Sequence, residues 1–146
     1  MSTIHVMKSF YSIRHVYYAD DDPDDRFLFQ EVLNEIDISL QLTLADSGHA
    51  LLATLRTTPT LPDVIFLDWN MPVKNGFQCL QEIKQHPRLK DIPVVMISTS
   101  SENSVSRATL DGGAFRYIQK PVYFTQLKIL IYECLQSIVA LRHEEG

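Results

Sequence analysis

Short apolar runs alternate along the chain with longer stretches of helically spaced residues. Ile13–Ala19 (IRHVYYA) is β-branched and aromatic and stops at a run of aspartates. Leu40–Leu44 (LQLTL) alternates with period two. Val64–Leu67 (VIFL), Val94–Ile97 (VVMI) and Phe115–Ile118 (FRYI) follow the turn residues Leu61-Pro62-Asp63, Pro93 and Gly112-Gly113. Runs this short, apolar and bounded by turn formers predict strands buried in a parallel sheet.

The intervening stretches predict helices. Asp22 stands as an N-cap, Pro23 at the first helical position, and Asp24 and Asp25 in the electropositive first turn. Leu28, Val32 and Ile36 then recur every four residues. Ala50–Arg56 forms a second helix, and Asn75-Gly76 precedes a third that carries Phe77, Leu80 and Ile83 and stops before Pro87. A fourth opens at Ser101-Glu102 and closes near Asp111-Gly112. Leu127, Ile131, Cys134 or Leu135, Ile138 and Leu141 keep helical spacing through the fifth. Five strands alternating with five helices predict an α/β sandwich with a parallel core and right-handed crossovers. In such folds ligands bind outside the carboxyl ends of the strands.

The residues that follow the apolar runs therefore decide the chemistry. Asp20, Asp21 and Asp22 follow the first, Asp68 and Trp69-Asn70-Met71-Pro72 the third, Ser98, Thr99 and Ser100 the fourth, and Lys120-Pro121 the fifth. The second, expected at the sheet edge, ends in Ala45-Asp46-Ser47. Taken singly these are ordinary: a solvated capping loop, a turn Asp, an X-Pro strand end. Together they bring carboxylates, a hydroxyl and an ammonium to one place. Clustered carboxylates repel, so either some hold protons or a cation holds them together. Oxygen ligands without His or Cys favour a hard ion, Mg²⁺ before Ca²⁺. The run D-D-D-P-D-D is not an EF-hand loop, lacking the alternate positions, the Gly and the closing Glu. Lys120 and Ser98 suit phosphate oxygens, and an Asp at such a site can carry an aspartyl phosphate.

Composition narrows the classes. The chain has 146 residues, 45% apolar and 21% charged, which suits one globular domain. Thirteen Lys and Arg face eighteen Asp and Glu, for a net charge of −5. Five of those acids are Asp20, Asp21, Asp22, Asp24 and Asp25, so the acidity is local and the remainder balances. With no basic excess, electrostatic wrapping of nucleic acid is not expected. Cys79 and Cys134 are far apart and lack metal spacing, which predicts two reduced, buried thiols in a cytosolic protein. No apolar run reaches transmembrane length and no signal peptide is visible. Five scattered glycines make no phosphate-cradling loop.

These residues resemble the receiver domain of two-component response regulators. The resemblance runs from about Ile13 to the end and leaves residues 1–12 as an unassigned extension before a receiver at 13–146. It is carried by A-D-D-D-P, A-D-S-G, L-P-D-V-I-F-L-D, L-D-W-N-M-P-V-K-N-G, P-V-V-M-I-S-T-S and Y-I-Q-K-P. It implies a flavodoxin-like three-layer fold with strand order 2-1-3-4-5. It further implies Asp68 as phosphoacceptor, and Mg²⁺ held by Asp20, Asp21, Asp68 and the main-chain carbonyl of Asn70. Lys120 would pair with the phosphoryl group across a cis bond to Pro121, and Ser98 would bond a phosphoryl oxygen. Asn70 and Ser100 fall where family members tune phosphoryl lifetime. Tyr117 takes the switch-aromatic position and reads equally well as a core aromatic. Tyr123 stands where the family often opens its last helix with a capping residue.

No output domain follows in the chain, so the resemblance is to stand-alone regulators. It implies a cytoplasmic phosphoacceptor rather than an enzyme with an external substrate. Its partners would be a sensor histidine kinase or histidine phosphotransfer protein, with direct binding to neither DNA nor a membrane. Output would pass through the face of the fourth helix, fifth strand and fifth helix, to a partner or a second copy. Arg107, Arg116, Gln119 and Lys128 are expected on its exposed side. An alternative is an aspartyl-phosphate phosphohydrolase of the haloacid-dehalogenase type. That family uses D-x-D-x-T, whereas Asp20-Asp21-Asp22-Pro23-Asp24 lacks the Thr and Asp68-Trp69-Asn70 lacks the second Asp. A degenerate receiver acting only as scaffold is opposed by the intact Asp20, Asp21, Asp68, Ser98 and Lys120.

Overall fold

The computed structural model describes residues 12–145, so the expected extension at 1–12 lies almost wholly outside the described residues. Five strands form one parallel sheet: β1 (His15–Ala19), β2 (Gln41–Ala45), β3 (Val64–Asp68), β4 (Val94–Ser98) and β5 (Arg116–Gln119). The order is 2-1-3-4-5, as expected. Five helices alternate with them: α1 (Pro23–Ile36), α2 (Gly48–Thr57), α3 (Gly76–Gln85), α4 (Asn103–Asp111) and α5 (Phe124–Glu145). Chain order reverses between β1 and β3, which puts the switch point where Asp20 and Asp68 emerge.

The strands alternate their side chains between two cores. Val16, Tyr18, Phe66, Val95, Ile97 and Ile118 face α1 and α5, where Phe29, Val32, Leu33, Ile131 and Leu135 meet them. Tyr17, Ala19, Ile65, Leu67, Val94 and Met96 face α2 and α3 through Leu51, Leu55, Leu80 and Ile83. Period-two alternation thus fixes which strand-end residue leaves from which face. Both cysteines are buried and free, and desolvation pushes each thiol up to about 11.

Helix ends follow local chemistry. Asp22 caps α1, its carboxylate accepting from Asp24 N at 2.9 Å. Asn75 and Gln78 close a capping box at α3. The buried stripe of α1 is Phe29, Val32 and Leu33, with Leu28 exposed. Stripe width on a helix is about 100°, so a four-residue repeat drifts off it and Phe29 takes the core position. In α5 the same drift leaves Leu141 exposed and buries Val139. One span within α5, Phe124–His143, has a mean hydropathy of 1.3 and is long and apolar enough to cross a membrane, contrary to expectation. Ile131, Cys134, Leu135, Ile138 and Val139 on it form a wall of the core, while Lys128, Glu133 and Arg142 interrupt it.

Candidate functional site

Tyr18 and Asp20 lie two residues apart, so both leave β1 on the α1/α5 side. Asp20 is fully buried; its carboxylate accepts from the Tyr18 hydroxyl and from Asp22 N at 2.9 Å. Burial, then the charges and bond of Asp20, push the Tyr18 hydroxyl far above its ordinary value, so it stays a donor. Arg26 donates to the Asp20 carbonyl at 2.8 Å. Asp68 ends β3 at 3% exposure, with the same parity as Phe66. Asp21 is exposed at the mouth.

Carboxylate oxygens of Asp20, Asp21 and Asp68 lie within 4.8 Å of one another. Two like charges at that spacing repel by about 3 kcal/mol at an effective dielectric near 20. Desolvation, and next the charge of Asp20, raise the Asp68 carboxyl to about 7 even though Lys120 pulls it down. An all-oxygen donor set this compact, and this short of positive charge, fits a divalent cation.

Lys120 reaches the same pocket two residues past Ile118, on the same face. Its ammonium lies 3.3 Å from Asp68 Oδ1, 3.2 Å from Asp20 Oδ2 and 2.8 Å from Asp25 Oδ2. Burial lowers the affinity of that amine for its proton, but Asp25, Asp68 and Asp20 overrule it and the net shift is upward. The Lys120–Pro121 bond is trans, correcting the cis bond expected from the resemblance. An X–Pro bond leans intrinsically to trans by about 0.5–1 kcal/mol, so only packing selects cis. In the trans form Lys120 N already bonds Ser98 O at 2.6 Å and its ammonium is satisfied.

Ser98 leaves β4 on the other face, with the parity of Met96. It is fully buried, and its Oγ accepts from Ser100 N at 3.1 Å. The Tyr117 hydroxyl donates to Ser100 O at 2.7 Å, so the Ser100 backbone links Ser98 to Tyr117. The half-buried Tyr117 ring packs on the α2/α3 core. Asn70 is exposed and its Nδ2 lies 3.4 Å from Thr99 Oγ1. Beyond it, Val73 is 88% exposed at φ 67°. A β-branched residue in that region costs about 1–2 kcal/mol, a strain held at the rim of the pocket. Gly76 has no room for a side chain: a Cβ there would stand 2.5 Å from Asp68 O and 3.0 Å from Trp69 Cα.

A family profile described as the response regulator receiver domain matches residues 16–132. The chain belongs to that family. Two-component response regulator ORR5 of Oryza sativa is 32% identical over 108 residues, covering 74% of this chain and 78% of its own. Response regulator Rcp1 of Synechocystis is 39% identical over 90 residues, covering 58% and 61%. Among solved structures, the phosphorylated cyanobacterial phytochrome response regulator RcpA superposes with TM-score 0.74 at 30% identity, over 86% of this chain and 91% of that one. The Mn²⁺-bound form of Rcp1 gives 0.72 at 32% over the same shares. The hydrolase alternative gains nothing from these likenesses or from the pocket, where Asn70 turns to Thr99.

In this receiver the fold gathers Asp20, Asp21, Asp68 and Lys120 into one pocket and turns Ser98 of β4 and Tyr117 of β5 to the α2/α3 side of the sheet. Asp25 and Tyr18 were not singled out as site residues by sequence reasoning. Asp25 reads as a helix-dipole acid and Tyr18 as a strand aromatic. The available signal was parity for Tyr18, and for Asp25 a first turn that starts where β1 ends. Lys128 does not stand free on the α4–β5–α5 face, since its ammonium pairs with Glu35 of α1 at 3.1 Å. Lys128 therefore falls on the side of α5 that meets α1.

Proposed function

We propose that this receiver accepts a phosphoryl group on Asp68 from a phosphohistidine of a sensor kinase or phosphotransfer protein. The observation that carries the reading is Asp68 at a strand end, bracketed by Asp20, Asp21 and the Lys120 ammonium, in a chain of the receiver family. An Asp68 oxygen attacks phosphorus, and the P–N bond breaks with its electron pair leaving on the imidazole. Asp20, Asp21, Asp68 and the Asn70 carbonyl would hold Mg²⁺, which neutralises phosphoryl charge when bound. Lys120 donates to one phosphoryl oxygen and the Ser98 hydroxyl turns to another. Ser100 and Asn70, flanking the pocket, govern how water reaches the acyl phosphate. The Mn²⁺ of the Rcp1 structure supports the metal and the phosphorylated RcpA structure supports the phosphate.

The unit so described runs over 13–146 and works in the cytoplasm as a phosphorylation-controlled binding module, with no turnover of an external substrate. Output passes through α4–β5–α5, where Arg107, Arg116 and Gln119 are exposed, to a partner protein or a second copy rather than to DNA. The test is incubation with acetyl phosphate and Mg²⁺. Intact mass should rise by one phosphoryl group, and Asp68→Asn should abolish the rise. Phosphorylation persisting in that variant would move the acceptor elsewhere. Lys120→Ala should still take up phosphate but lose phosphate-dependent partner binding.

A further inference from the structure

The shortest contact of the Lys120 ammonium is to Asp25, at 2.8 Å, rather than to the carboxylates it is expected to serve. Its three hydrogens are divided among Asp25 at 2.8 Å, Asp20 at 3.2 Å and Asp68 at 3.3 Å. Asp25 is outside the trio of carboxylates that converge for a cation. It stands on the first turn of α1, with 29% of its side chain exposed against 5% for Asp68. Two positive groups thus compete for Asp20 and Asp68: the ammonium already there, and the divalent ion those oxygens suit. An ammonium in a largely buried pocket cannot give up two carboxylates unless a third holds it.

We propose that Asp25 is a positioning residue that retains Lys120 at the pocket wall and so frees Asp20 and Asp68 for the divalent cation. The inference rests on the metal reading above and goes beyond it, because Asp25 touches neither the ion nor the phosphoryl group. With Asp25 present, the ammonium keeps its best hydrogen bond when Asp20 and Asp68 turn to the metal. Without it, Lys120 depends on those two carboxylates alone, and metal must displace it.

The experiment is a Mn²⁺ titration, and separately a Mg²⁺ titration, of the full chain, followed by fluorescence of Trp69, the one tryptophan. Asp25→Asn should weaken apparent affinity about five- to tenfold, an effect equivalent to about 1–1.4 kcal/mol. In a Lys120→Met background the same change should weaken it less than twofold. Asp24→Asn removes an equal charge from the same exposed helix turn without touching Lys120, and should also shift affinity less than twofold. Thermal unfolding of each variant establishes that it is folded. Equal losses from Asp25→Asn in both backgrounds, or from Asp24→Asn and Asp25→Asn alike, would mean a general field effect and overturn the proposal. No loss from Asp25→Asn overturns it as well. A wild type with no saturable response to either ion would overturn both this proposal and the metal reading, leaving phosphorylation of Asp68 to the mass measurement above.

Discussion

Asp68 sits 3% exposed beside Asp20, and its carboxyl is raised from an ordinary 3.8 to about 7, first by desolvation and then by its neighbour's charge. The folded protein therefore keeps a proton that the unfolded chain releases. Below about pH 4 both states are protonated and the site costs nothing; between about pH 4 and 7 only the unfolded chain ionises, so stability falls; above about 7 the loss is complete. The shift sets a ceiling of about 4 kcal/mol, which water entry and relaxation bring down to roughly 1–3. Asp68→Asn removes the conflict. Urea unfolding without divalent ions should show the variant gaining on wild type by roughly that amount as pH rises from about 4 to 7.5. Mg²⁺ should narrow the gap. A gap constant with pH would mean that Asp68 ionises in the pocket without penalty. Asp20, Asp21 and Lys120 face Asp68 across the pocket, and Tyr18 remains a neutral donor throughout this range.

Among the helices, α4 is held most loosely. Thr109 is its one buried residue, whereas α3 buries Gly76, Cys79, Leu80 and Ile83. Its N-cap is Glu102, which makes no side-chain cap bond, while Asp22, Ser47 and Asn75 all cap their helices. Glu reaches past the first-turn N–H groups, whereas Asp is of the right length to accept from them. Glu102→Asp should stabilise the domain by about 0.5–1 kcal/mol in urea unfolding and slow amide exchange through the first turn of α4. No gain would place the weakness of α4 in its thin packing alone. A helix with so little buried surface is also the element most easily rearranged by a neighbouring event.

In the whole molecule, the pocket and the α4–β5–α5 face proposed for output are joined through β4. Ser98 is buried behind the pocket, Ser100 N bonds its Oγ, and Tyr117 bonds Ser100 O. If a phosphoryl oxygen on Asp68 draws the Ser98 hydroxyl, the Ser100 bond breaks and the β4–α4 loop and Tyr117 are released together. Such a switch needs two states only a few kcal/mol apart. Hydrogen exchange on the unmodified and phosphorylated protein should change across residues 102–135. Changes confined to the loop after Asp68 would leave a plain phosphate carrier.

The strands, the helices, their order and the acidic strand ends were legible in the chain. Strand runs are local and apolar, caps act within three residues, and alternation forces a parallel sheet whose carboxyl ends converge. Asp25, by contrast, meets Lys120 across 95 residues of chain, and no local pattern marks the pair. Gly76 owes its identity to Asp68 O and Trp69 Cα, a close approach visible only once α3 is docked. The sequence puts Lys128 on the α4–β5–α5 face, yet the docking of α5 against α1 turns it to Glu35. Hydrophobic periodicity determines which elements form and which faces they bury. Which charges then meet depends on how those elements are rotated and spaced when packed, because a side-chain contact is decided within an ångström and a sequence period is not.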